Sequence, residues 1–120
     1  MQKHTSTQLF RYEPQNGIAE YHAIFRITVP YLSFAEQIES IHSAYEHLVT
    51  KEIPGVVAVL KRYFLSDAAN QANVLLATQK EHTDCALSIV EQPPLDGTKV
   101  ALWVYLQTNV ETRILPHGDY

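Results

Sequence analysis

The chain has 120 residues, 46% of them hydrophobic, and 9 basic against 13 acidic side chains give a net charge of −4. That length makes one domain with a real core, and a mildly acidic chain without a basic stripe is a poor nucleic-acid binder. A single cysteine, Cys85, excludes an internal disulfide and a cysteine-based zinc site.

The N-terminal MQKHTSTQLF has no apolar signal-peptide region. No apolar run approaches the roughly 20 residues that span a bilayer. The expectation is a cytoplasmic protein with no membrane contact. Residues 7–13 form a candidate first strand, and Pro14, Gln15, Asn16 and Gly17 form a turn in which Asn-Gly is the strongest signal. Residues 18–29 read as a long strand. Tyr21, Ala23, Phe25 and Ile27 share one side of it; His22, Ile24, Arg26 and Thr28 share the other. The two strands should pair as an antiparallel hairpin, and Pro30 ends the second because it cannot donate to a ladder.

Ser33 followed by Glu36 is a capping box. Phe34, Ile38, Ile41, Tyr45, Leu48 and Val49 then recur at helical steps, which predicts an amphipathic helix of about 18 residues. Ile53, Pro54 and Gly55 break it. The stretch 56–79 organises the rest: its apolar first half fits a strand buried on both sides, and Ser66 or Asp67 caps a helix that follows at once. A buried strand turning straight into a helix implies a crossover in a mixed sheet. Residues 84–91 form a short strand, 92–98 a turn, and 99–108 the last strand. In that strand Val100, Leu102, Val104 and Leu106 line one side, and Ala101, Trp103 and Tyr105 the other. The expected fold is α+β, ordered β-β-α-β-α-β-β, a four- or five-stranded mixed sheet with two helices on one face. Nothing in one copy is left to cover the second face, so association through that face is the natural solution. Residues 1–120 read as one domain, with 109–120 a tail or the start of a further segment.

No catalytic constellation stands out by residue type. Of the six histidines, His42 and His47 share a helix but point roughly 140° apart, whereas a zinc pair needs a spacing of four. His4 and His117 lie near the termini, His22 in a strand and His82 after a helix. Neither a metal nor a cofactor is expected. Glu36, Glu39 and Glu46 form a solvated helix side. Cys85 reads as a small core residue, and Ser66 lacks a glycine-flanked elbow. Lys61 and Arg62 interrupt a buried strand and point to opposite faces. Arg62 is the better anion binder, because its fork matches a carboxylate.

The element order, the strand-to-helix segment RYFLSDAANQ and the segment ALSIVEQPPLDGTKVALWVYL together resemble the YjgF/Rid family, also known as imine deaminases, endoribonuclease L-PSP and translation initiation inhibitors. The resemblance covers residues 33–108. It implies a chorismate-mutase-like fold and a homotrimer with pockets at the subunit interfaces. Deaminating members carry a carboxylate-holding arginine where Leu87 stands here, a cysteine where Ile89 stands, and an acidic residue near Trp103. The resemblance therefore implies a protein that binds an unidentified small molecule without the usual imine hydrolysis. Its candidate pocket residues are Arg62, Tyr63, Leu87, Ser88, Trp103 and Tyr105. On this reading Leu87 and Ile89 form an apolar wall suited to an aromatic or neutral ligand, with Ser88 pointing away, or else Leu87 fills the old cavity. One alternative is a deaminase in which Arg26 or Arg62 replaces the missing arginine. Another is a non-catalytic assembly domain of a longer protein. Residues 62–71 are also similar to the N-terminal part of chorismatase-type proteins, and residues 114–120 end abruptly after a Pro-His-Gly turn.

Overall fold

Two residues at the head of the first helix show how local chemistry sets an element. Ser33 Oγ accepts the Glu36 N–H at 3.1 Å, and the Glu36 carboxylate accepts the Ser33 N–H at 2.9 Å. This reciprocal capping meets two amides that the helix itself cannot satisfy. The bonds from Ser33, its backbone amide first, hold the Glu36 carboxyl below the ordinary carboxylate value.

The computed structural model describes residues 4–13, 19–78, 85–94 and 97–108. Strands β1 (Thr5–Tyr12) and β2 (Glu20–Ile27) pair antiparallel, with Thr5 opposite Ile27 and Tyr12 opposite Glu20. The expected turn at 14–17, His82, His117 and the tail lie outside the described residues. Helix α1 (Phe34–His47) runs on into a π-helical turn, Leu48–Glu52. The single helix expected from periodicity therefore ends in a wider turn, closed by the Ile53 N–H on the Leu48 carbonyl at 2.8 Å. Gly55, with φ +89°, then redirects the chain in a conformation that side chains disfavour. Strand β3 (Val56–Leu65), helix α2 (Ala68–Thr78), strand β4 (Ala86–Glu91) and strand β5 (Val100–Thr108) follow. At the start of α2 the Asp67 carbonyl accepts the Asn70 and Gln71 N–H groups, and the Glu91 carboxylate of β4 accepts the Ala68 N–H at 3.1 Å.

The strands lie in the order β1-β2-β5-β3-β4, with only the β3–β4 pair parallel. Strand β5 is apolar on both sides and takes the centre of the sheet, between β2 and β3. Both helices pack on one face of this α+β sheet, which is a chorismate-mutase-like arrangement. Tyr21, Ala23, Phe25 and Ile27 of β2 and Val100, Leu102, Val104 and Leu106 of β5 meet Ile38, Ile41, Tyr45 and Leu48 there. From α2, Leu75 joins the same core.

Gln37 is fully buried, yet it is satisfied. Its Nε2 donates to the Pro30 and Leu32 carbonyls at 3.3 and 2.9 Å, and its Oε1 accepts the Lys99 N–H at 3.0 Å. It thus ties the entry of α1 to the start of β5.

Strand β3 contains one irregularity that matters later. Ala58 opposes Leu106, yet Leu60 opposes Tyr105, so Val59 is an extra residue in the ladder. The bulge switches the inward parity: Ala58 faces the helices, and beyond it Lys61, Tyr63 and Leu65 do. Lys61 is 3% exposed, and its Nζ sits 4.3 Å from the centre of the Tyr45 ring. The ammonium thus finds a π face where it lacks water. Among the described residues, no helix is long and apolar enough to cross a membrane.

Candidate functional site

Alternation leaves the second face of the sheet to a different set of side chains. Register places Gln8, Ile24, Trp103, Arg62 and Ser88 in one row across all five strands. The row beside it holds Phe10, His22, Tyr105 and Leu60, and the row on the other side holds Arg26, Ala101, Phe64 and Val90. His22 stacks on Trp103 with ring centres 5.6 Å apart and lies 5.1 Å from Tyr105. Gln107 donates to the Tyr105 hydroxyl at 2.9 Å. An aromatic patch therefore occupies the middle of a face that no helix among the described residues covers.

Arg62 stands inside this patch. Its guanidinium carbon lies 5.5 Å from the centre of the Trp103 ring. Its Nε is buried, and no described residue accepts a hydrogen bond from it. An unmet buried donor costs about 1–3 kcal/mol, and more when the group is charged. Such a donor is an uncommon feature of folded proteins. Beside the row lies a groove of about 550 Å³, lined by Ile24, Arg26, Phe64, Pro93, Pro94 and Trp103 among others. Arg26 Nη1 donates to Gln8 Oε1 at 3.2 Å at its rim.

Four of the six residues expected from the sequence, Arg62, Ser88, Trp103 and Tyr105, share this face. Tyr63 and Leu87 lie across the sheet. Tyr63 is fully buried, with its hydroxyl 3.0 Å from His42 Nε2. Leu87 opposes Lys61 and Ile89 opposes Tyr63, so both look toward the helices. The parallel β3–β4 register is the reason: it sets Ser88, not Leu87, beside Arg62. The expected wall of Leu87 and Ile89 is therefore absent from the Arg62 side of the sheet. Sequence reasoning passed over Ile24, Phe64, Pro93 and Pro94. The Pro-Pro pair read only as a turn, although prolines ahead of an aromatic strand are a usual source of rigid apolar walls.

A second hollow, of about 740 Å³, lies on the opposite side between α1 and α2, lined by Ile38, Glu39, His42, Glu46 and Val74 among others. Among the described residues, no three His, Cys, Asp or Glu side chains converge in a way that would hold a metal ion. Cys85 packs part-buried against the core.

No protein-family profile and no curated protein matches this chain. A crystal structure from Salmonella typhimurium, of a protein named provisionally as a translation initiation inhibitor, is similar to it in three dimensions. The TM-score is 0.61 at 13% sequence identity, over 81% of this chain and 95% of the other. At that identity the likeness shows a shared fold, the five-stranded mixed sheet backed by two helices, and leaves the function to be argued from the residues of this chain.

Proposed function

We propose that this chain is a Rid-like small-molecule-binding protein, and that copies of it meet through the open sheet face as a homotrimer with pockets at the subunit interfaces. The observation that carries the reading is the uncovered patch of His22, Ile24, Leu60, Arg62, Trp103 and Tyr105 opposite the helices. These side chains are part-buried, with no described helix packed on them, and an aromatic and apolar cluster on such a face is a usual place for a partner copy. The shared fold with a protein named as a translation initiation inhibitor adds to the reading, although that name belongs to the Salmonella protein. Leu87 stands where the resemblance asks for a substrate-holding arginine, so the usual imine hydrolysis is not part of this proposal. A second reading, an imine deaminase with Arg62 as the substituted clamp, draws on the unpartnered Nε of that residue.

Light scattering coupled to size-exclusion chromatography tests the assembly. The expected result is three times the 13.6 kDa chain mass at micromolar concentration. A monomer mass there would overturn the proposal.

A further inference from the structure

We infer that β1 is an association edge, and that its free side pairs antiparallel with β1 of a second copy. The inference concerns the rim of the sheet and does not depend on the reading of the open face. Strand β1 ends the five-stranded sheet, with β2 on one side and no described strand on the other.

The hydrogen-bond phase of the hairpin says which main-chain groups are free. His4 lies opposite Thr28, one step beyond the Thr5–Ile27 pair, and its carbonyl accepts the Thr28 N–H at 2.9 Å. Hydrogen-bonded pairs alternate along an antiparallel ladder. Ser6, Gln8, Phe10 and Tyr12 therefore turn their main-chain groups toward β2, and Thr5, Thr7, Leu9 and Arg11 turn theirs outward. An edge of this kind is a template for another strand, and proteins blunt it with proline, lysine, a bulge or a very short strand. Strand β4, at the other rim, is six residues long and runs into Gln92, Pro93 and Pro94. Strand β1 has eight residues, pairs with β2 without a bulge and contains neither proline nor lysine. Its one charge, Arg11, donates to the Tyr21 hydroxyl and the Glu13 carboxylate, both at 3.2 Å. Leu9, Phe10 and Tyr12 are 38%, 53% and 61% exposed.

The sequence of β1 suits its own copy. About a two-fold axis through the edge at Leu9, perpendicular to the sheet, Leu9 meets its counterpart, Thr7 meets Arg11 and Thr5 meets Glu13. Leu9, Thr7, Arg11 and Thr5 are the residues whose main-chain groups point outward, so this register closes hydrogen-bonded pairs between the copies. On the other face of the strand Phe10 meets Gln8 and Tyr12 meets Ser6, and the two Phe10 rings come within diagonal reach. Between residues 5 and 13 no like charges stand opposite each other in this register. The same patch serves both copies, as an isologous contact requires. The strand brings eight residues to the contact, against roughly 20–30 a side in a standard interface. Doubling therefore belongs near millimolar, not micromolar, chain concentration.

Proline at position 9 makes the test selective. The Leu9 N–H points outward, so Leu9→Pro removes an edge donor and leaves the β1–β2 bonds in place. Light scattering should show the mass doubling between about 10 µM and about 1 mM chain, whatever assembly the open face makes. Amide exchange, read by NMR at both concentrations, should slow at least tenfold at Thr7, Leu9 and Arg11 as concentration rises, and stay unchanged at Gln8 and Phe10. Leu9→Pro should abolish the doubling, and so should Leu9→Lys, which sets two ammonium groups opposite each other. A mass that stays constant across the range overturns the inference, as does undiminished doubling in Leu9→Pro. Outward amides equally slow at both concentrations would mean cover from within the chain and would overturn it too. Should Leu9→Pro not fold, Leu9→Lys and the exchange pattern of the parent decide. A mass fixed at three chains overturns this inference only, and a single chain that becomes two overturns the trimer only.

Discussion

Ser33 and Glu36 show chemistry that is readable from four consecutive residues, since each bond of the capping box lies within one turn. Ser33→Ala should lower stability by about 1 kcal/mol, measured as a shift of the urea midpoint. Glu36 adds a pH dependence whose sign follows from its depressed carboxyl value. Its stabilisation is present above the ordinary value of 4.5 and is lost as the pH falls through the lowered folded value. Compared from pH 7 down to pH 3, the parent and Glu36→Gln should differ at neutral pH and converge in acid; a constant gap would count against the assignment. Gln37, the next residue, was not legible in the same way. Its acceptor role toward Lys99 spans 62 residues of sequence, and nothing local marks it as buried. The roles of Lys61 and Arg62 were half legible: opposite faces follow from alternation, but which face each takes is decided by the Val59 bulge, which leaves no mark in the composition.

At the scale of elements, strands and helices were legible because most apolar runs keep one period; β3 is the exception, its parity switching at Val59. The β5 pattern, apolar on both sides, asked for cover on both faces; its place between β2 and β3 is what the structure adds. Registers were not legible. One residue of slip between β3 and β4 would exchange Leu87 and Ser88 beside Arg62, and only the packed sheet settles it. Helix α2 is the least anchored element, since Leu75 is its one fully buried side chain among the described residues. Leu75→Ala should therefore cost about 2–5 kcal/mol. The loss should appear first as faster amide exchange in α2 and in the β4 edge it covers, with β2 and β5 still protected. Equal loss of protection across all strands would show that α2 is not a separate weak point.

Among the described residues, one face of the sheet carries both helices and the other carries none. If copies close over the bare face, a charge planted at its centre must be desolvated in the assembly and not in the single chain. Trp103→Asp should consequently shift the light-scattering mass to that of one chain while far-ultraviolet circular dichroism stays near that of the parent. A variant that retained the full mass would remove Trp103 from the interface.

The central place of β5 also has a consequence for synthesis. On the ribosome, β2 and β3 emerge before β5, the last of the described strands, and each has an edge that pairs with it. Until β5 is available, the edges of β2 and β3 that it joins in the folded sheet have no partner strand. Such open edges are templates for pairing with other nascent chains.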